Sequence, residues 1–332
     1  MILVIGNLDF NNYNISGQTL RAKSVLDLLK DKYKNEDFII EDISSKTNYL
    51  YKLFKILFYS LRAKNIILIG AYNFILFSCV TIGFLPFSKK TILVPTGGWI
   101  KDHFKKKSFR NLKRFKKVYI QSNSLTNIIS SYFNSQSICH LTNFRKDYFP
   151  AQKKVNISRK IVFNSRIEKS KGIFELINAV CLFNKNNLEK ITLDIYGQFN
   201  DSKIKLKLFD EINNYSTINY KGLYDSKNTI KVLSEYDLLI FPSYYKGEGL
   251  PGSIMDGLFS GLPIIATDWN YNSEMVKHNY NGRLVAIKDV YLLVKSLEFY
   301  YNNTKNIFSH SNNSLLESEA YQYKQILNNF SI

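Results

Sequence analysis

Residues 237–268 read DLLIFPSYYKGEGLPGSIMDGLFSGLPIIATD. The apolar run at 237–242 predicts a buried strand, and a glycine-bearing loop separates this strand from an amphipathic helix. Pro251 suits the first position of that helix, and Gly261 suits its end. A second apolar run at 262–266 predicts the next strand. Two strands joined through a helix by short connections are typical of a parallel sheet covered by helices.

The same alternation of short apolar runs and longer helical patterns continues along the whole chain. It predicts an α/β fold with two doubly wound, Rossmann-like domains, and the polar segment 149–158 suits their junction. The predicted strands lie near 2–6, 37–41, 65–70, 91–95, 117–121, 137–141, 160–165, 191–196, 217–221, 237–242, 262–266 and 283–287.

We therefore expect a first domain over 1–152 and a second over 153–310. The Asn- and Ser-rich stretch beyond about 303 is interpreted as a loop before a last helix. The terminal segment 311–332 is expected to form a C-terminal helix, with packing against the first domain as one possibility. Ligands of such sheets bind at the carboxyl ends of the strands, so two facing domains predict a site in the cleft between them.

Composition limits the classes of protein that fit. The chain has 332 residues and a formal net charge of +18, which requires an anionic partner: nucleic acid, anionic lipid or a phosphorylated substrate. Its three cysteines are far apart in the sequence and lie within apolar segments, which indicates buried thiols in a reducing cytoplasm. They are Cys79, Cys139 and Cys181. The four histidines fall into no ligand spacing, so we expect no metal and no bound cofactor.

One stretch raises the alternative of a membrane span. Residues 66–87 carry no charge over a length that suits a bilayer, but glycine, asparagine and proline interrupt them. A strand near 65–70 followed by a buried helix near 72–84 is the favoured interpretation. The opening residues, MILVIGN, lack a basic leader, so we expect the chain to remain in the cytoplasm.

The loop between the strand and the helix of residues 237–268 contains candidate binding groups. Glu248 lies on the loop that enters the helix, and the amides of Gly249, Leu250 and the first helical turn suit a phosphate. Asp256 lies well away from the apolar stripe of the helix. The alternative is a plain loop and surface helix in which Asp256 is a solvated acid.

Two cations form a second candidate group in FNSRIEKSKG, residues 163–172. Arg166 and Lys171 follow a strand and precede a helix, where they suit the two phosphates of a nucleotide diphosphate. Solvated charges in a turn are the alternative. Glycines after two strands of the first domain suit close approach of a ligand or a tight turn. These are Gly17, Gly97 and Gly98.

The stretch resembles the signature of family 4 glycosyltransferases, which have the GT-B architecture of two Rossmann-like domains facing across a cleft. The resemblance rests on an acid, a helix with a second acid eight residues on, SGLPIIATD and NYNGRLV. It extends to SRIEKSKG, LDIYGQF, NYKGLY and the opening SGQT. It covers the second domain nearly throughout and the first domain only thinly.

The resemblance implies roles for the residues that match. Glu248 matches the acid on the hydroxyls of the donor sugar, with the amides of Gly249, Leu250 and Pro251 near sugar and phosphate. Asp256 matches the acid on the ribose. Arg166 and Lys171 match the two cations that bind the diphosphate of the donor. Gly17 matches the loop of the first domain that closes over the donor.

Two departures from the family's pattern stand out. The second acid is usually glutamate, and Asp256 is one methylene shorter. The family often has a histidine where this chain has Thr96, Gly97 and Gly98, and His103 follows several residues later. The resemblance further implies retention of the anomeric configuration without a metal.

The densest charge lies in residues 101–117, KDHFKKKSFRNLKRFKK. Projected as one helix, the segment has an apolar stripe that includes Phe104 and Phe115, and its cations cover the other side. Adsorption to an anionic membrane surface is the functional interpretation, and a solvated basic face is the alternative. The basic, aromatic segment 49–64 lies in the same domain.

Taken together, these features predict a peripheral-membrane hexosyltransferase at the inner face of the plasma membrane. The expected donor is a nucleotide diphosphate sugar, and the expected acceptor is a lipid-linked glycan in bacterial surface polysaccharide synthesis. One alternative is a nucleic-acid-binding protein, although the inward aromatic stripe of the basic helix leaves few rings to stack on bases. Another is a nucleotide-sugar epimerase of the same architecture.

Overall fold

The computed structural model describes residues 1–10, 17–44, 49–70, 86–97, 114–131, 133, 135–146, 148–152 and 156–332. The strands are β1 (Ile2–Gly6), β2 (Phe38–Asp42), β3 (Asn65–Gly70), β4 (Thr91–Pro95), β5 (Lys117–Ile120), β6 (Ile138–His140), β7 (Lys160–Asn164), β8 (Thr192–Tyr196), β9 (Ile218–Gly222), β10 (Leu238–Phe241), β11 (Ile264–Thr267) and β12 (Gly282–Val285). All twelve predicted strands are confirmed, with bounds that differ by at most two residues.

The helices lie mostly between these strands, as parallel pairing requires. They are α1 (Gly17–Lys32), α2 (Tyr49–Arg62), α3 (Leu125–Ile129), α4 (Ile173–Asn186), α5 (Ser202–Ile212), α6 (Thr229–Leu233), α7 (Gly252–Phe259), α8 (Asn272–Met275), α9 (Val290–Tyr301), α10 (Lys305–Ser318) and α11 (Tyr323–Asn329). Two 3-10 turns matter below, Pro86–Lys90 and Lys169–Lys171.

The first sheet has the strand order β2-β1-β3-β4-β5-β6, and all its pairs are parallel. Ile2 in β1 is paired with Phe38 on one side and Asn65 on the other. The strands β1, β3 and β4 are almost entirely buried, because helices cover both faces of a parallel sheet. Helix α1 is fixed near its start by the buried Arg21, whose guanidinium donates to the Thr142 carbonyl at 2.8 Å.

The second sheet has the order β12-β11-β10-β7-β8-β9, again with parallel pairs only. The chain builds β7, β8 and β9 in one direction and then returns to place β10 on the other side of β7. Leu238 of β10 is paired with Ile161 of β7. The order of the strands therefore reverses between β7 and β10, which is the position where ligands bind to open α/β sheets.

The chain divides into two compact units. The first comprises Met1–Lys146 with Tyr323–Ile332, and the second comprises Asp147–Gln322. Helix α11 belongs to the first unit, where Ile326 and Phe330 join its hydrophobic core. The Tyr323 hydroxyl also donates to Asp31 of α1 at 2.6 Å.

The expected boundary at 310/311 falls inside helix α10, and the loop predicted beyond 303 is wrong. His310, Ser311 and Ser314 are buried on this helix, and the Ser314 hydroxyl donates to the Leu262 carbonyl at 2.8 Å. Polar side chains thus face the second unit's interior, where His310 and Ser314 form hydrogen bonds. Their composition suggested a loop because serine and asparagine favour turns when their partners are unknown.

Several expectations concern residues outside those described. They include the helix near 72–84, residues 101–113 of the basic segment, and Cys79. At the segment's end, Phe115 is buried while Arg114 and Lys116 are exposed. None of the helices in the described ranges is both long and apolar enough to cross a membrane.

The predicted burial of the thiols is only partly right. Cys139 and Cys181 are free and half-buried rather than buried. Cys139 lies on β6, which is the last strand of the first sheet and is half-exposed for that reason.

Candidate functional site

The candidate site begins where β7 and β10 end. The turn after β7 contains Lys171 and Gly172, and the loop after β10 runs from Pro242 to the start of α7. Gly172 has φ +74°, and a Cβ atom there would lie 2.2 Å from the Pro242 carbonyl oxygen. The amide of Tyr244 also donates to the Ser170 carbonyl at 2.8 Å. Only glycine permits this backbone approach, so the two segments lie directly against each other.

This approach brings two predicted residues into a buried ion pair. The Lys171 Nζ lies 2.5 Å from Oε2 of Glu248, and the two side chains are 6% and 12% exposed. The hydroxyl of Ser243 donates to the same carboxylate oxygen at 2.8 Å. A buried charge is stable only when it is paired and hydrogen-bonded, and both conditions hold for Glu248 here.

Both predicted cations lie close to the ring of Tyr245. The Lys171 Nζ lies 4.9 Å from the ring centroid, and the guanidinium carbon of Arg166 lies 5.5 Å from it. Arg166 is half-exposed and approaches Glu168 at 3.8 Å, which is longer than a hydrogen bond. The structure therefore brings Arg166, Lys171 and Glu248 together around one aromatic ring.

The loop that carries Glu248 is held from the segment after β11. The indole nitrogen of Trp269 donates to the Tyr245 carbonyl at 2.9 Å. The side-chain amide of Asn270 lies within 3.3 to 3.4 Å of the carbonyls of Tyr245, Lys246 and Glu248. Asn270 has φ +52°, a conformation that asparagine tolerates better than most residues. Three neighbouring strands thus fix the position of the carboxylate.

Helix α7 continues from this loop. It begins at Gly252, and Pro251 is its N-cap rather than the predicted first helical residue. Leu250 is buried and Gly249 half-buried. The N–H groups of the first turn lack intrahelical partners and give this end a partial positive charge, which favours an anion.

Asp256 lies half-exposed in the second turn of α7, about 6 Å along the helix axis from Gly252. Burial, followed by the charge of Asp256, holds the pKa of Tyr224 well above its usual range. Asp256 is therefore near the phenol of Tyr224, whose ring packs 5.0 Å from Tyr196 at the end of β8.

Only two of the four predicted site residues of the first unit lie within the described residues. Gly17 is the first residue of α1 and is exposed, with open space where a Cβ would be. Gly97 follows β4 with φ +93°, so its position requires the freedom of glycine. Gly98 and His103 lie outside the described residues.

Sequence reasoning missed three supporting residues: Ser243, Trp269 and Asn270. A signal existed for each, because all three lie within three residues after the end of a buried strand, at the carboxyl edge of the second sheet. Their partners could not be read from the chain, since Trp269 and Asn270 bind backbone carbonyls more than twenty residues away. Within the described ranges, no group of three His, Cys, Asp or Glu side chains is arranged to hold a metal ion.

Comparisons with known proteins find similarity to glycosyltransferases. The family model described as "Glycosyl transferases group 1" matches residues 144–313. The GtfA subunit of a UDP-N-acetylglucosamine–peptide N-acetylglucosaminyltransferase from Streptococcus agalactiae is 36% identical over 122 residues, which are 36% of this chain and 23% of that protein. An uncharacterised glycosyltransferase of Methanocaldococcus jannaschii is 31% identical over 131 residues, 39% of this chain and 32% of that protein.

These curated relatives are therefore matched over a third of their length or less. Among solved structures, Anabaena HepE in complex with UDP aligns with a TM-score of 0.74 at 15% identity, over 98% of this chain and 97% of its own. That likeness shows the fold, which is GT-B with two parallel six-stranded sheets. The family model spans just over half of the chain and includes both strands that carry the ion pair. The chain belongs to the glycosyl transferases group 1 family.

Proposed function

We propose that the protein transfers a hexose from a nucleotide diphosphate sugar to a glycan acceptor with retention of anomeric configuration. The observation that carries the proposal is the buried pair of Lys171 and Glu248 at the point where the second sheet reverses its strand order. The family match favours transfer over the epimerase and nucleic-acid alternatives. Solved relatives in the fold include HepE with UDP and with UDP-glucose, which favours a uridine nucleotide as the first probe.

The donor would lie along the start of α7. Glu248 would accept hydrogen bonds from the sugar hydroxyls, and Asp256 would bind the ribose from the second helical turn. Arg166, Lys171 and the amides around Gly249, Leu250 and Pro251 would bind the diphosphate between them. This order follows the chain, because the loop precedes the helix and both cations lie beside the loop.

Charge stabilisation would supply most of the catalysis. As the bond between the anomeric carbon and the phosphate oxygen breaks and the acceptor hydroxyl bonds to that carbon, negative charge develops on the departing nucleotide, which takes up the proton of the hydroxyl. The ammonium of Lys171, the guanidinium of Arg166 and the helix amides are fixed before the reaction and would neutralise that charge. The proposed chemistry therefore uses no metal and no cofactor.

The acceptor half of the proposal concerns the first unit. Gly17, the first residue of α1, would contribute to donor binding and Gly97 to acceptor binding; Gly98 and His103 are further acceptor candidates from the sequence. A lipid-linked acceptor in surface polysaccharide synthesis would place the enzyme on the inner face of the plasma membrane. The cations of residues 101–117 favour adsorption to an anionic bilayer there.

A thermal-shift panel of nucleotide sugars tests the donor half. A donor that binds the folded protein raises Tm in proportion to the logarithm of its concentration above Kd. We expect one nucleotide sugar and its free nucleotide to do so. Arg166→Gln should weaken nucleotide binding about tenfold in calorimetry, because a charged hydrogen bond contributes roughly 1.5 kcal/mol.

The matched control is Lys295→Gln, since Lys295 forms its ion pair with Glu298 on helix α9. This variant should bind the nucleotide as the wild type does. An equal loss of affinity in both variants, or no stabilisation by any nucleotide sugar, would contradict the assignment of the donor site.

A further inference from the structure

The charge of the chain is concentrated in one of its two units. The residues of the first unit include 24 Lys and Arg against 8 Asp and Glu, a formal net charge of +16. Those of the second include 21 against 19, a net charge of +2. Nearly all of the attraction for an anionic partner therefore belongs to the first unit.

Helix α2 of this unit exposes a row of large apolar side chains. Tyr51, Phe54, Phe58 and Leu61 are 67%, 71%, 47% and 69% exposed. Their spacings of three, four and three residues place them on one face over about 15 Å of the helix. The opposite face packs inward through Ile56 and Ser60. An amphipathic helix ordinarily buries its apolar face, but α2 exposes a second one to solvent.

Cations border the row at the end of α2. The guanidinium carbon of Arg62 lies 4.0 Å from the centroid of the Phe58 ring, and Arg62 is exposed. Lys64 follows, with its side chain 71% exposed, and its Nζ lies 3.3 Å from Oε1 of Glu36 in an exposed ion pair. The turn Pro86–Lys90 is tied to this end because the Lys90 ammonium donates to the Ala63 carbonyl at 2.8 Å, and it adds the exposed Lys89.

We propose that α2 lies in the plane of an anionic lipid bilayer, with Tyr51, Phe54, Phe58 and Leu61 in the headgroup region and Arg62, Lys64 and Lys89 on lipid phosphates. Helices that bind in this way combine an exposed apolar face with a cationic border. The inference refines the membrane partner of the proposed function and names an insertion element distinct from residues 101–117. It rests on its own observations and does not require the donor site.

Charge complementarity selects this occupant. A neutral or basic surface would not complement the +16 charge of the unit, whereas anionic lipids attract it from beyond contact range. Nucleic acid would also attract the charge. However, Lys55 on the border of the row is bound to Glu41 at 2.5 Å, and Lys52 donates to the Asp42 carbonyl at 3.0 Å. These contacts engage two cations for lipid and nucleic-acid phosphates alike, so the apolar side chains decide: Leu61 has no ring to stack on bases but suits the headgroup region of a bilayer.

Vesicle sedimentation tests the proposal. With vesicles of phosphatidylglycerol and phosphatidylcholine, the double variant Phe54→Ser with Leu61→Ser should lower the partition coefficient about tenfold or more, because two buried apolar side chains are lost. The matched control is Leu188→Ser with Leu206→Ser, which removes two exposed leucines of the second unit. This control should bind vesicles as the wild type does.

A second measurement reads insertion directly. In Phe54→Trp, the new indole should shift its emission to shorter wavelength on adding the mixed vesicles and should be quenched by brominated lipid. Phosphatidylcholine vesicles alone should produce little of either change. Equal vesicle binding by the double variant and the wild type, or no emission change in Phe54→Trp, would overturn the inference.

Other occupants give distinct results. Wild-type dimers in sedimentation velocity that dissociate in the double variant would overturn the proposal in favour of a second copy. Retention on random oligonucleotides that the double variant loses would overturn it in favour of nucleic acid. Calorimetry with UDP separates the two claims, because the double variant should keep the nucleotide affinity of the wild type. Vesicle binding without UDP binding would support the membrane face and contradict the donor site.

Discussion

Glu248 has two roles: it is a proposed contact of the donor, and it forms a buried ion pair with Lys171. Glu248→Gln should lower the transfer rate at least a hundredfold. It should also lower the free energy of unfolding by about 3 kcal/mol, because the Lys171 ammonium stays buried without its carboxylate. Initial rates and urea unfolding measure the two effects.

The control for Glu248 is Glu298→Gln, which removes the partner of Lys295 from the protein surface. Exposed ion pairs contribute little, so this change should cost no more than about 1 kcal/mol. A Glu248→Gln protein that is as stable as the control would show that the pair does not form in solution.

Gly172 is the second residue on which the site depends. Gly172→Ala should destabilise the protein by about 2 kcal/mol or more, because it combines a left-handed backbone with a Cβ placed 2.2 Å from the Pro242 oxygen. It should also weaken nucleotide binding, since the turn and the loop would separate. Thermal unfolding and calorimetry measure both changes.

Gly17→Ala is the matched control for stability, because Gly17 has nothing within 4 Å of an added Cβ. Alanine is the better helix former, so this variant should be equally or slightly more stable. Similar losses in the two variants would contradict the contact between Gly172 and Pro242.

At the scale of elements, the packing of α10 on α9 predicts a pH dependence of stability. His310 is buried, and its ring Nδ1 lies 2.9 Å from the Tyr300 hydroxyl. Burial, followed by the positive charge of Arg283, lowers the pKa of His310 below 6.5, although a hydrogen bond to the Asn279 backbone opposes the shift. The unfolded chain therefore binds this proton more readily, and stability is lost as the pH falls below about 6.5.

Urea unfolding at about pH 7.5 and about pH 5.5 should show this loss in the wild type, and His310→Gln should reduce it. The pKa of His278 is lowered too, chiefly by desolvation and then by Arg283, so some dependence should persist. Carboxylates such as Asp42, whose pKa is lowered by hydrogen bonds despite its burial, titrate below this range. An unchanged dependence in His310→Gln would contradict the assignment.

The elements also show what a sequence can predict. The strands were found because each is a short apolar run between polar segments, and burial on both faces leaves little ambiguity. The beginning of helix α10 was assigned to a loop because its serines resemble loop residues until the Leu262 carbonyl, fifty-two positions away from Ser314, accepts a hydrogen bond. Local composition does not show which distant residues will accept or donate hydrogen bonds to polar side chains.

At the scale of the whole molecule, the sequence also does not show which distant residues meet at the site. Arg166, Lys171, Glu248 and Asp256 could be selected because each follows a predicted strand or lies off an apolar stripe. The grouping of Arg166, Lys171 and Glu248 depends on the strand order, which places β10 beside β7 although more than seventy residues separate the two strands. The asymmetry of charge between the units, by contrast, is contained in the sequence once the division of the chain is known.

The division of the chain has a consequence for its synthesis. The second unit is one continuous segment, so its core can form as soon as that segment has emerged, without a contribution from a distant part of the chain. The first unit needs Ile326 and Phe330, which emerge only after the whole second unit has been made. The unit that is translated first is therefore completed last, and until then its sheet lacks part of the apolar surface that covers it.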